Sequence, residues 1–280
     1  LAPRINAAGR LDHARKSLEL LLTPYVSEAR RMAKTLDRLN RERQDSEQEI
    51  FDQALALAQS QDKALALVLF NPSWHEGVIG IVASRLARRY YRPVVMLCHH
   101  DDAVRGSARS IEGIDLYACL SDCEHLLTAF GGHTMAAGLS MHRQNVDAFT
   151  PAFLEAVSRR SVPESFIPSI PIDYELKLRD VGEKIADEIT SLAPFGVGNA
   201  EPLFWCEDLL VRESRMVAEK HLRLSLGDQS GPGHETRQAI WFSARKRVDA
   251  PARLSRACFR IQWNLYRGNR HVQLVLEDMD

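Results

Sequence analysis

Between Ser27 and Gln59 the chain contains neither proline nor glycine, and Ala, Leu, Arg, Glu and Gln dominate, which is the composition of one long α-helix. Met32, Leu36 and Leu39 give it a narrow apolar stripe. Asn40 to Glu49 carry no apolar side chain, and the stripe resumes at Ile50, Ala54 and Leu57. A helix that is polar all round at its centre bridges solvent between two packed bodies. The stretch is therefore expected to be a strut, with its far end docked on the segment C-terminal to it and its near end on a body outside this sequence.

That C-terminal segment has the pattern of an α/β domain. Ala64 to Phe70 is a continuous apolar run of strand length, His75 to Arg89 has a helical pattern, and Pro93 to Cys98 is a second buried strand. Together they form a βαβ unit with a parallel strand pair. His75, Gly77 and Gly80 stand at the helix start. They make either an anion site at a helix N-terminus or a close helix–sheet contact. Cys98-His99-His100-Asp101-Asp102 combines metal-ligand types, but neighbours on a strand point to opposite faces, so a polar hairpin is expected and no metal. On the next strand, Val104 to Ser110, Ser107 and Arg109 share a face and can clamp a phosphate. Residues 114–129 read as helix, Leu139 to Met141 as strand and 145–160 as helix.

Phe130-Gly131-Gly132-His133-Thr134-Met135-Ala136-Ala137-Gly138 has almost no side-chain bulk. Such a run is a tight turn beside a packed strand, or a nest of N–H groups for phosphate oxygens with His133 as a further donor. The opening Leu1 to Arg15 sets Arg4, Asn6 and Arg10 among small residues, as a loop for bidentate phosphate capture or a solvated linker.

After a Pro- and Ser-containing link, Ser161 to Pro171, the apolar period becomes two. Ile172, Tyr174, Leu176 and Leu178 alternate with charged residues, and the same period holds for Leu222, Leu224 and Leu226, for Ala257, Phe259, Ile261, Trp263 and Leu265, and for Val272, Leu274 and Leu276. Short half-buried strands with one helix near 183–191 indicate an OB-like barrel. The chain as a whole has a formal charge of −1, yet Phe204 to Leu276 holds 13 Lys and Arg against 7 Asp and Glu. Cations interleaved with aromatics on a small barrel suit single-stranded nucleic acid. Arg223, Arg260 and Tyr266 are expected on outward positions, Trp263 in the core, and Trp241 facing solvent because it is out of phase with Ile240 and Phe242. A charged, solvated face is the alternative.

With 280 residues, 45% of them hydrophobic, the chain has room for roughly two globular domains. No apolar run approaches the ~20 residues of a spanning helix. Five cysteines without a Cys-x-x-Cys pair fit a reducing cytoplasm rather than a disulfide framework. The chain opens on Leu1, with no secretory signal, and is expected to be a piece of a longer protein.

Six motifs occur in an order that covers nearly the whole chain. They are Pro3-Arg4-Ile5-Asn6-Ala7-Ala8-Gly9-Arg10, Leu39-Asn40-Arg41-Glu42-Arg43, Trp74-His75-Glu76-Gly77-Val78-Ile79-Gly80, Gly106-Ser107-Ala108-Arg109-Ser110, the Gly131 to Gly138 run, and Pro194-Phe195-Gly196-Val197-Gly198-Asn199. In this the chain resembles the C-terminal portion of the RecJ-type single-strand-specific exonucleases of the DHH phosphoesterase family. The resemblance implies an α/β DHH-associated domain with a βαβ unit, preceded by a long connecting helix and followed by an all-β OB-like barrel. The corresponding divisions are 1–60, 61–160 and 161–280. It also implies a 5′→3′ exonuclease of DNA repair and recombination, with a 5′-phosphate held by positions matching Arg10, Ser107 and Arg109. Arg4, Asn6, His75, Gly131, Gly132 and His133 are expected to contribute to the same substrate site.

The family's Asp-His-His signature, which binds two manganese or magnesium ions, is absent; His99-His100-Asp101-Asp102 has the wrong order. The chain alone is expected to hold single-stranded DNA without cutting it, and to bind no metal. It is also expected to be monomeric and to have helicases and single-strand-binding proteins among its partners. A small-nucleotide phosphodiesterase or a stand-alone binding protein is the competing reading.

Overall fold

The structure, a computed structural model, describes residues 2–228, 236–242, 244, 251–266 and 268–280, without the side chain of Tyr266. It divides into two compact units, 1–168 and 169–280. No helix among the described residues is long and apolar enough to cross a membrane.

In the first unit the uninterrupted stretch is a single helix, α3 (Val26–Gln59), of 34 residues, about 50 Å long at the α-helical rise. Ile50, Phe51, Ala54 and Ala58 bury against the sheet and against α4 (Glu76–Tyr90). Leu36 and Leu39 bury with Ala8, Leu11 and Leu20 of the two short helices α1 (Ala2–Leu11) and α2 (Arg15–Leu22). The polar centre is largely exposed, as the pattern suggested, with Arg41, Glu42, Gln44, Asp45, Gln48 and Glu49 in solvent, but the near end docks on α1 and α2 rather than on a body outside this sequence. One side of the centre is anchored. Glu47 accepts from Arg85 of α4 at 3.0 Å and pairs with Arg43 on its own helix, all three largely buried. The Arg85 guanidinium also lies 3.7 Å from the centroid of the Phe51 ring, where a cation meets the negative face of the aromatic.

Five strands form the sheet: β1 (Leu67–Phe70), β2 (Val94–His100), β3 (Ala103–Arg109), β4 (Ala129–Gly132) and β5 (Ala136–His142). Their order is β1-β2-β3-β5-β4, with β1 and β2 parallel and the rest antiparallel. β1, α4 and β2 are the expected βαβ unit, and Asp101 and Asp102 turn the β2–β3 hairpin. One face packs on α4. The other packs on α5 (Leu116–Ser121) and α6 (Val146–Arg160) around Phe149, Phe153 and Met141.

Two expectations fail here. Residues 114–129 are not one helix: α5 is capped by the Asp115 carboxylate, which accepts from the Ala118 N–H at 3.0 Å, and ends after six residues. At Thr128 the backbone joins the sheet, its N–H donating to the Ser140 carbonyl, so Gly131 and Gly132 lie on an edge strand. The opening segment is a helix, not a loop, because Pro3 sits in the first turn, where its missing N–H costs nothing.

The second unit closes a barrel from β7 (Phe204–Val217), β8 (His221–Asp228), β9 (Thr236–Trp241), β11 (Asn269–Met279) and β10 (Arg253–Tyr266), in that spatial order, with β10 pairing back onto β7. β9 and β11 are parallel and the other barrel pairs antiparallel. Leu222, Leu224, Leu226, Phe259, Ile261, Leu274 and Leu276 fill the interior, and α7 (Glu183–Ser191) covers it with Ala186 and Ile189. The period-two stretch from Ile172 to Leu178 is mostly not a strand. Only β6 (Tyr174–Glu175) pairs with β7, and of the four alternating residues only Leu178 is buried.

Candidate nucleic-acid interface

A cleft of about 600 Å³ opens in the first unit where α1, the start of α4 and strands β3, β5 and β4 meet. Gly9, Arg10, Glu76, Gly77, Ser107 and Gly131 are among the residues lining it. Arg10 reaches it because Gly77 has no side chain: a Cβ there would stand 2.0 Å from the Arg10 carbonyl oxygen. The Arg10 guanidinium in turn donates to the Gly77 carbonyl at 3.2 Å. Gly80, one turn on, clears space for Ser107 and Arg109, whose Oγ and Nη2 would lie 2.8 and 3.1 Å from its Cβ.

Arg109 is held in place before any ligand binds. It donates to the hydroxyls of Ser107 and Ser84, each at 3.1 Å, and to the Ala108 carbonyl at 2.7 Å. Burial, and secondarily the charge of Arg10, push its pKa below the usual arginine range; it remains a cation at neutral pH. A cation disfavoured by burial and by a neighbouring positive charge would gain from an anion beside it. The glycines of the edge strand have separate tasks. A Cβ on Gly131 would meet nothing within 4 Å, so this glycine opens the cleft, whereas one on Gly132 would lie 2.3 Å from the Ala136 carbonyl oxygen.

On the barrel, Arg223 of β8 stands opposite Arg215 of β7 and Ile240 of β9. Its Nε donates to Gln238 at 3.0 Å, and Arg215, Arg223, Ser225 and Gln238 line a polar depression of about 260 Å³ with Glu213. In OB-folds the face of the second and third barrel strands takes oligonucleotides, and β8 and β9 hold those places.

Residues 61–159 match the DHHA1 domain family and residues 172–278 the RecJ OB domain family. The chain is similar to the single-stranded-DNA-specific exonuclease RecJ of Salmonella typhimurium, 32% identical over 100% of this chain and 50% of that protein. It is likewise similar to the RecJ of Thermus thermophilus, 36% identical over 81% of this chain and 33% of the relative. The crystal structure of Thermus thermophilus RecJ in complex with Mn2+ superposes with a TM-score of 0.83 at 29% identity, covering all of this chain and 40% of that one. The chain belongs to the RecJ family. It spans about half the length of the curated relatives that match all of it.

Of the residues singled out from sequence, this RecJ-family fold places Arg10, Ser107 and Gly131 on the lining of the cleft, with the Arg109 guanidinium held against the Ser107 hydroxyl beside it. Gly132 shapes the neighbouring hairpin. His133 sits at the hairpin tip, exposed, its N–H donating to the Ala136 carbonyl at 2.9 Å. Arg4 points elsewhere and pairs with Asp37 at 2.7 Å, and Asn6 is exposed on α1. His75 caps α4, its Nδ1 accepting from the Gly77 N–H at 3.1 Å.

On the barrel, Trp241 does not face solvent. It packs on the core beside Ala239, whose burial sets the inward phase of β9. Its neighbour Phe242 is exposed, edge-on to His221 at 5.1 Å. Arg260 faces outward but is committed to Glu277 at 2.9 Å and to the Glu201 carbonyl at 2.8 Å. Trp263 is only partly buried; it donates to Asp187 and carries Arg270 on its face. The Tyr266 side chain lies outside the described residues.

Arg105 and Glu76 also line the cleft, and the sequence reading missed both. The alternation that joins Ser107 to Arg109 extends back to Arg105, so that signal was present. Among the described residues no three His, Cys, Asp or Glu side chains come together to hold a metal ion. The ions implied by the family resemblance therefore have no matching donor set here, and no step is assigned to them in this chain.

Proposed function

We propose that this chain is the substrate-holding part of a 5′→3′ single-stranded-DNA exonuclease of DNA repair and recombination, working in the cytoplasm. In this reading Arg10, Ser107 and Arg109 bind the 5′-terminal phosphate, and the β8–β9 face of the barrel carries the strand. The observation that carries it is a cleft lined by Arg10, Ser107 and Gly131, with the Arg109 guanidinium bonded to the Ser107 hydroxyl. A terminal phosphate brings more charge than an internal diester and gains more from such donors. The two manganese or magnesium ions belong to the part of the enzyme outside this sequence. The exposed apolar side chains of Leu18, Leu21, Leu22, Tyr25 and Val26 offer that part a surface to bury.

Anisotropy titrations of the purified chain test the reading. The chain should bind 5′-phosphorylated single strands more tightly than 5′-hydroxyl strands, and leave both uncut in the presence of manganese. Equal binding of the two ends would remove the end-recognition role, and cleavage that persists through repurification would remove the division of labour.

The barrel face has its own test. Arg223→Ala should weaken binding to long strands and reduce the log–log salt slope by ~0.7, the loss of one phosphate contact on a single strand. Arg260→Ala should change DNA binding much less, because that guanidinium is already engaged by Glu277 and Glu201. The opposite ranking would move the strand to β10.

A further inference from the structure

β3 turns three side chains towards α4 in succession: Arg109, Ser107 and Arg105. Val104 and Ala108, on alternate positions of the strand, are buried on the opposite face. Ser107 stands in a row with Gly138 and Gly131 across β5 and β4, and Arg105 in the next row with Ser140 and Ala129. All six line the cleft. The proposed end-binding role uses the first row and leaves the second unexplained.

The cleft, at about 600 Å³, lies within the roughly 300–1,000 Å³ of sites that take whole small molecules, so one phosphate does not fill it. Two residues along a strand advance about 6.6 Å, a stride comparable with that between successive phosphates on an extended strand of DNA. Arg105 Nη1 donates to Glu76 Oε2 at 2.9 Å, and His100 Nδ1 lies 3.1 Å from the same oxygen. Both Arg105 and Glu76 are well exposed, 48% and 40%. A pair of that kind is weak in water, so an incoming phosphate takes over the guanidinium at little cost.

We propose that Arg105 is a second phosphate contact, holding the first internal phosphodiester of the strand whose 5′ end lies on Arg10, Ser107 and Arg109. Glu76 is a positioning residue that keeps the Arg105 guanidinium over the cleft while no DNA is bound. The inference rests on the end-binding reading and extends it by one nucleotide.

The probe is 5′-phosphorylated tetrathymidylate, compared with the same oligonucleotide carrying a neutral methylphosphonate at its first internal linkage. The parent chain should lose affinity on the order of tenfold on that neutralisation, the loss of one charge-assisted contact. Arg105→Ala should bind the unmodified oligonucleotide about tenfold more weakly, be indifferent to the methylphosphonate, and keep the parent's preference for a 5′-phosphate over a 5′-hydroxyl. Arg105→Lys should recover most of the affinity. A parent indifferent to the methylphosphonate overturns the proposal, as does an Arg105→Ala protein that still loses tenfold on that change. Loss of 5′-phosphate preference in the parent would instead overturn the end-binding reading, so the two failures are distinguishable.

Discussion

Gly132→Ala is expected to cost about 3 kcal/mol of stability, from a strained backbone conformation and a backbone clash, while Gly131→Ala next to it leaves unfolding nearly unchanged. Gly132 has φ +153°, and a Cβ on it would lie 2.3 Å from the Ala136 carbonyl oxygen and 2.5 Å from the Ala137 Cα. Both atoms belong to the backbone of the paired strand, so no rotamer change relieves the contact. The hairpin must open, taking with it the bond between the His133 N–H and the Ala136 carbonyl. At Gly131 an added methyl meets nothing within 4 Å, and its effect should appear in DNA-end binding instead. Urea titrations of both variants decide the matter. Equal midpoints for Gly132→Ala and the parent would show that β4 and β5 separate freely, and a large loss from Gly131→Ala would show that the cleft is not open.

Those two glycines mark a limit of the sequence. A run without side-chain bulk announces close approach, but whether the approaching group is backbone or ligand depends on which side of the edge strand each residue faces. In the structure backbone approaches Gly132, while the space beside Gly131 is left open. Gly77 and Gly80 repeat the lesson, since the space they leave is filled by Arg10, Ser107 and Arg109, residues distant in the chain and supplied by other elements.

α3 was legible because the absence of proline and glycine is a local property. The anchoring of its middle was not. Counting charges made Asn40 to Glu49 a solvent-crossing segment, and most of it is exposed, but Glu47 pairs with Arg85, 38 residues further on, and only the packing of α4 brings that arginine to it. In the barrel the period-two signal gave the strands, since alternation needs no tertiary information. It gave the wrong phase for β9. Ile240 and Phe242 are the more hydrophobic flanks, yet Ala239 faces inward, and a small residue at a crowded barrel position leaves little mark on a hydrophobicity pattern. The outward phase of Arg260 is legible in the alternation, but phase does not reveal the carboxylate of Glu277 across the β10–β11 pair.

Arg109→Ala is expected to abolish most of the chain's preference for a 5′-phosphorylated over a 5′-hydroxyl strand, a loss of roughly ten- to a hundredfold for one charge-assisted contact. The size comes from preorganisation. The hydroxyls of Ser107 and Ser84 and the Ala108 carbonyl already fix the guanidinium, so little side-chain entropy remains to be lost when the phosphate binds. Burial and the charge of Arg10 hold its pKa down; an incoming dianion reverses that trend, which makes the contact stronger than one with a solvated surface arginine. Arg109→Lys keeps the charge but loses the planar fork, and should recover only part of the preference. Binding to 5′-hydroxyl strands serves as the internal control. It should stay close to the parent's in both variants if, as proposed, the β8–β9 face of the barrel carries the strand. An Arg109→Ala protein that keeps the parent's ratio between the two kinds of end would remove Arg109 from the phosphate site and leave its bonds to Ser84 and Ser107 as packing contacts of α4 on the sheet.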